Sequence, residues 1–313
     1  MNPLLNLKRS IGLGFWRASY STAATVHPGA AREDFKNGVH AALNVGVRLL
    51  DTADIYCPDG DNFGHNEILV RETMSEWDAS PEQKAEVIIA TKGGIFRDPE
   101  HVAKYSGYDY LMGAVEASCK RLGIDEIPLW QHHRLDPKLT FSEQVKNIRK
   151  LNENAPIKLL GVSNYNAKQL LQALDVIGGP SEGGIVSVQN QLNPAYRQDY
   201  DVLAICEDHG LAYLPWSPSK GVMPKDEGTK VYEMFNDIAR SRGVTPFAIA
   251  QAWSRTLSPN IVPLPGVTRM ASILDAVSAI DLRLTAAEIA ALKDLPESEP
   301  LDNELVTGQP LAE

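Results

Sequence analysis

The chain has 313 residues, 43% hydrophobic and 22% charged, which is enough to bury a sizeable core as one large domain or two medium ones. Its 30 Lys and Arg stand against 40 Asp and Glu, a net charge of −10, and the basic residues are scattered, which argues against a nucleic-acid or anionic-membrane surface. Three widely spaced cysteines, Cys57, Cys119 and Cys206, offer neither a disulfide framework nor a metal knuckle, and no apolar run reaches about 18 residues. The opening MNPLLNLKRSIGLGFW has no long apolar stretch or cleavage site, so the expectation is a soluble, cytoplasmic protein.

Short apolar runs recur in chain order at residues 11–15, 48–51, 87–91, 127–131, 158–162, 185–189, 212–216 and 261–264. Stretches of helical period separate them, such as Phe35, Val39, Ala42 and Leu43, or Val231, Met234, Phe235 and Ile238. Thr140 with Glu143 and Thr285 with Glu288 have the spacing of capping boxes, and the second predicts an extra helix after the last strand. Eight strands alternating with helices predict an α/β fold, a (β/α)8 TIM barrel forming one domain over residues 1–313 with that additional C-terminal helix. An open, doubly wound sheet is the alternative. The first strand is followed by GFWRASY, without the G-x-G-x-x-G of a dinucleotide-binding turn, which favours the barrel.

Catalytic groups of such a barrel sit where strands pass into loops. The second, third and fourth strand ends supply Asp51, Tyr56, Lys92 and His133. A phenol is a poor acid near neutrality unless a nearby cation stabilises its anion, and Lys92 is the candidate cation. Asp51 would hold that lysine charged, and His133 would polarise a carbonyl by a hydrogen bond. His132 and His133 are adjacent on a strand and point to opposite faces, so they do not suit a shared metal, and none is expected. Trp16, just after the first strand, reads as a wall of the substrate pocket.

The ordered motifs LLDTADIY with Glu67 downstream, ATKGG, QHHRLDP, GVSNY, VQNQLNP, PWSP and PLPGVT resemble those of the aldo-keto reductases, over nearly the whole chain. The resemblance implies reduction of an aldehyde or ketone to an alcohol, or the reverse, with NADPH as cofactor and NADH as the alternative. It implies Tyr56 as general acid, Asp51 and Lys92 as its tuning pair, and His133 as the carbonyl-orienting residue, since that position directly precedes Arg134-Leu135-Asp136-Pro137. His132 is the rival. Ser163, Asn164 and Gln189 are assigned to the nicotinamide carboxamide, Trp216 to stacking on the ring, and Ser217 to the pyrophosphate. Gly266 and Arg269 follow in the PLPGVTR segment, where a loop and helix start suit the adenosine phosphate.

Two departures stand out. The connection between Tyr56 and Glu67 is longer than usual, and the Glu-Asn pair that closes the adenosine site in relatives is replaced by Asp275 and Ala276. Arg269 is the one obvious cation left there. The expected partner is a small-molecule carbonyl or alcohol, in a rather open pocket. A regulatory barrel resembling channel-associated β subunits is the competing function, disfavoured because those place Asn where this chain has His133. A glycoside hydrolase using Asp51 and Glu67 would leave Lys92 and Tyr56 unexplained.

Overall fold

The computed structural model describes residues 2–20, 30–58, 60–98, 100 and 102–298. Its strands are β1 (Leu13–Gly14), β2 (Leu49–Asp51), β3 (Ile88–Gly93), β4 (Ile95–Arg97), β5 (Val102–Lys104), β6 (Leu129–His132), β7 (Leu160–Ser163), β8 (Ile185–Gln189) and β9 (Ala212–Tyr213). Seven of them form one parallel sheet in the order β1-β2-β3-β6-β7-β8-β9, and β4 and β5 form a separate antiparallel hairpin. Helices follow the strands, as parallel crossovers require.

The eighth predicted strand departs from expectation. Residues 261–264 form no ladder; they join the sheet through isolated bridges, Tyr213 to Ile261 on one edge and Gly14 to Gly266 on the other. Val262 N donates to Tyr213 O, while Gly12 N and Gly14 N donate to Pro263 O and Pro265 O, each at 2.9 Å. The segment thus bonds to both β9 and β1. Two prolines at alternate positions have no N–H to return to β1, so a full ladder cannot form there.

The sheet interior is layered. Toward the strand starts, Leu49, Ala90, Leu129, Val186, Ala212, Val262 and Leu264 form an apolar cluster, capped by Leu4 of the 3-10 turn Pro3–Asn6. Asn2 ties that turn down by donating to Val186 O at 2.7 Å. The helices cover the outer face with their apolar stripes: Phe35, Val39, Ala42 and Leu43 are fully buried on Ala30–Asn44, and Phe235 is buried on Lys230–Arg242. Both predicted capping boxes are present, opening Phe141–Asn154 and the C-terminal helix Ala286–Ala291. Among the described residues no helix is long and apolar enough to cross a membrane.

Candidate active site

Alternation along β3 decides the chemistry of the barrel mouth. Thr91 points outward, where its hydroxyl donates to Glu67 at 2.6 Å, so Lys92 points inward. Parallel register sets Lys92 beside Gln131 and Asp51 beside Ala90. The Lys92 ammonium then donates to Asp51 Oδ2 at 2.8 Å, to Thr52 O at 2.7 Å and to the Tyr56 phenol oxygen at 3.2 Å. The other Asp51 oxygen accepts from Gln189 Nε2 at 2.8 Å and Gln131 Nε2 at 3.3 Å.

Lys92 is completely buried and Asp51 is 4% exposed, so each would be costly alone. Burial opposes the charge on Lys92, but Asp51 and the Tyr56 phenol outweigh it and hold the ammonium above its ordinary pKa. A cation fixed 3.2 Å from a phenol oxygen stabilises the phenolate that remains after a proton is given away.

The two histidines divide as the strand geometry requires. His132 is locked between the Ser106 hydroxyl (2.8 Å) and the Tyr165 hydroxyl (3.0 Å), and burial pushes its pKa down to about 3. His133 borders the cleft, its ring edge-on to Tyr56 with centroids 5.8 Å apart. Burial, followed by the Lys92 and Arg134 charges, holds its pKa well below the ordinary imidazole value. It is therefore a neutral imidazole at physiological pH, with one ring nitrogen that donates and one that accepts. His132 does not border the cleft.

One cleft of about 440 Å³ brings Asp51, Tyr56 and His133 together with most of the residues assigned to a cofactor: Ser163, Asn164, Gln189, Trp216, Ser217 and Gly266 all border it. So does Trp16, 46% exposed at the start of the helix Trp16–Tyr20. Ser163, Asn164 and Trp216 are already bonded to one another or to nearby backbone. Ser163 Oγ donates to Gln189 O at 2.6 Å, Asn164 Nδ2 donates to His133 O at 3.1 Å, and Trp216 Nε1 donates to Asn164 Oδ1 at 3.1 Å. Asn164 and Ser217 both take left-handed backbone, φ 63° and 52°, which turns the chain sharply just past β7 and just past Trp216.

The cleft's donor set fits a dinucleotide. Trp216 offers a half-buried aromatic face, and the Ser219 hydroxyl is buried there with no hydrogen-bond partner. Arg17, Lys220 and Lys225 border the same space, cations suited to a diphosphate. Arg269 lies apart: it is exposed at the cap of Met270–Ser278 and does not border the cleft. Sequence reasoning passed over Gln131 and Thr52, which complete the Lys92–Asp51 unit, and Arg134, which borders the cleft beside His133. All three lie inside the quoted motifs. Glu67 is fully buried, bonded to Thr91 and Arg121, and does not border the cleft, so it makes no carboxylate pair with Asp51.

The sequence model of the Aldo/keto reductase family matches residues 10–297. The chain belongs to the aldo/keto reductase family. This aldo/keto reductase is 31% identical to an uncharacterized oxidoreductase of Schizosaccharomyces pombe, over 81% of its own length and 76% of the relative's. It is 30% identical to a 6-dehydroglucose reductase of Novosphingobium aromaticivorans, over 87% and 86%. Among solved structures, the glycerol dehydrogenase of Gluconobacter oxydans superposes with a TM-score of 0.74 at 24% identity, covering 91% of this chain and 90% of that one. An aldo/keto reductase from Klebsiella pneumoniae, solved with NADP and acetate, gives 0.71 at 24% identity, covering 95% and 94%. The fold of this aldo/keto reductase is the one those structures share.

Proposed function

We propose that this NAD(P)H-dependent oxidoreductase interconverts an aldehyde or ketone and its alcohol, with Tyr56 as the proton donor and acceptor. The observation that carries the reading is the buried Lys92, bonded at once to Asp51 and to the phenol oxygen at the edge of the cleft. A carbonyl oxygen placed between Tyr56 and His133 accepts a hydrogen bond from each, and Tyr56 passes its proton to that oxygen as charge develops there. Lys92 stabilises the phenolate left behind, and Asp51 keeps Lys92 charged. In the reverse direction Tyr56 takes the alcohol proton back.

The nicotinamide cofactor supplies the hydride when bound. Trp216 is the face on which its ring rests, Ser163, Asn164 and Gln189 meet the carboxamide, and Ser217 and Gly266 border the pyrophosphate. One N–H of Gln189 goes to Asp51, which leaves its amide oxygen and second N–H for the carboxamide. NADP complexes of structural neighbours support NADPH as the natural partner, and Arg269 is our reading of the cation on its 2′-phosphate. One observation favours NADH as a second reading. Asp34 Oδ2 accepts from Met270 N at 2.9 Å, so an acid already occupies the helix start beside Arg269. The catalytic unit sits in one domain, a closed barrel acting in the cytoplasm.

Spectrophotometric assay of NADPH and NADH oxidation against a panel of aldehydes and ketones tests the reading. Turnover of carbonyl compounds is expected; a protein that binds the cofactor yet oxidises it with no carbonyl would be the regulatory barrel instead.

A further inference from the structure

Arg134 follows His133 at the end of β6 and borders the catalytic cleft. One terminal nitrogen, Nη1, is buried with no hydrogen-bond partner, and no described residue forms an ion pair with the guanidinium. Burial draws its pKa down to about 10, so it is still charged at neutral pH. Lys104, the last residue of β5, feels that charge: burial and Arg134 both lower its pKa. Arg97, at the end of β4, borders the cleft on the same hairpin.

Cations set together and partly desolvated repel one another, and they lose hydration that no described residue replaces. Among the described residues the one carboxylate bordering the cleft is Asp51, and it is already held by Lys92, Gln131 and Gln189. A ligand carboxylate would supply the counter-charge that the described residues do not. The diphosphate donors Arg17, Lys220 and Lys225 belong to other segments, whereas Arg134 adjoins the carbonyl-polarising His133 and acts electrostatically on the Tyr56 phenol.

We propose that Arg134 binds a carboxylate on the substrate, so that this enzyme's carbonyl substrates are aldehydes or ketones carrying an acid group a few bonds from the reacting carbon. The assignment rests on the carbonyl-reducing function above. A guanidinium presents two parallel N–H groups that match the planar carboxylate, and Ile95, Val102 and Trp16 offer apolar contact for the carbon chain between acid and carbonyl.

The test compares succinic semialdehyde with its methyl ester, the same chain without the charge, in wild type, Arg134→Gln and Arg134→Lys, all with saturating NADPH. Wild type is expected to favour the acid by about ten-fold or more in kcat/KM, chiefly through KM. Arg134→Gln should abolish the preference, and Arg134→Lys should restore part of it. Equal kcat/KM for acid and ester in wild type would overturn the proposal, as would a preference that survives in Arg134→Gln. Equal slowing of both substrates in Arg134→Gln would also overturn it, because it would make Arg134 a tuner of the phenol alone. Calorimetric titration of succinate into the NADP-loaded protein reads the site without turnover. Binding lost in Arg134→Gln supports it even if neither aldehyde is reduced, an outcome that would refute only the carbonyl-reducing function; no binding to wild type would refute the carboxylate site.

Discussion

Gln189 Nε2 donates to Asp51 Oδ1 at 2.8 Å, across 138 residues of sequence, so the carboxylate that keeps Lys92 charged is itself held in place from β8. Asp51→Asn preserves the shape but removes the counter-charge of a buried ammonium. It should slow carbonyl reduction at neutral pH by about 10- to 100-fold and lower stability by roughly 3 kcal/mol. Steady-state kinetics and urea unfolding check both. Because Lys92 has a raised pKa in the folded state, its contribution to stability is intact below its ordinary value of 10.5 and is lost only as pH rises through the folded value. The wild-type contribution should therefore be flat across neutral and mildly alkaline pH.

His132 predicts the opposite pH dependence. Its folded pKa of about 3 lies below the ordinary 6.5, so the unfolded chain takes up a proton first. Stability should fall as pH drops below about 6.5, and this contribution should level off near 3. His132→Gln should cost about 1 to 3 kcal/mol at neutral pH, through its lost bonds to Ser106 and Tyr165. Over the acid window, however, its stability should fall with a slope smaller by one proton. Parallel pH profiles for the two proteins would show that His132 titrates normally in the fold.

Trp216 borders the cleft and holds Asn164 through its indole nitrogen. Trp216→Ala should weaken cofactor binding several-fold or more, since aromatic stacking contributes roughly 0.5 to 1.5 kcal/mol beyond buried area. Fluorescence titration with NADPH measures it, and unchanged affinity would remove Trp216 from the cofactor site.

Arg269 is exposed, with Asp34 bonded to the next residue's N–H, so its grip on a 2′-phosphate competes with a neighbouring acid. Arg269→Ala should weaken NADPH about ten-fold and leave NADH nearly unchanged, while Asp34→Asn should strengthen NADPH. Equal losses for both cofactors in Arg269→Ala would place Arg269 elsewhere.

Much of this arrangement was legible in the sequence, because a strand that ends in a polar residue at a barrel mouth leaves that residue few directions to point. Asp51, Lys92 and His133 followed from such ends, and the separation of His132 from His133 followed from strand alternation. The hairpin formed by β4 and β5 did not: its strands are three residues each, too short for a periodic signal. The missing eighth ladder was foreshadowed by Pro263 and Pro265, whose effect depends on which edge they face. Arg134 was quoted only as the neighbour of His133. Its lack of a counter-ion among the described residues is a property of packing, as is the gathering of Arg17, Arg97, Arg134, Lys220 and Lys225 around one cleft in a chain of net charge −10. Gln189 was read as a ligand contact, and its bond to Asp51 depends on β8 and β2 facing each other across the barrel.

The proton donor is the core of the account, and Tyr56→Phe isolates it, because the change removes one oxygen and leaves the ring beside His133. The decisive measurement is single-turnover oxidation of bound NADPH by an aldehyde, alongside the NADPH dissociation constant. The expected result is a dissociation constant within about two-fold of wild type and a turnover rate lower by about 100-fold or more. Turnover at the wild-type rate with Phe at this position would contradict the assignment of Tyr56 as the acid.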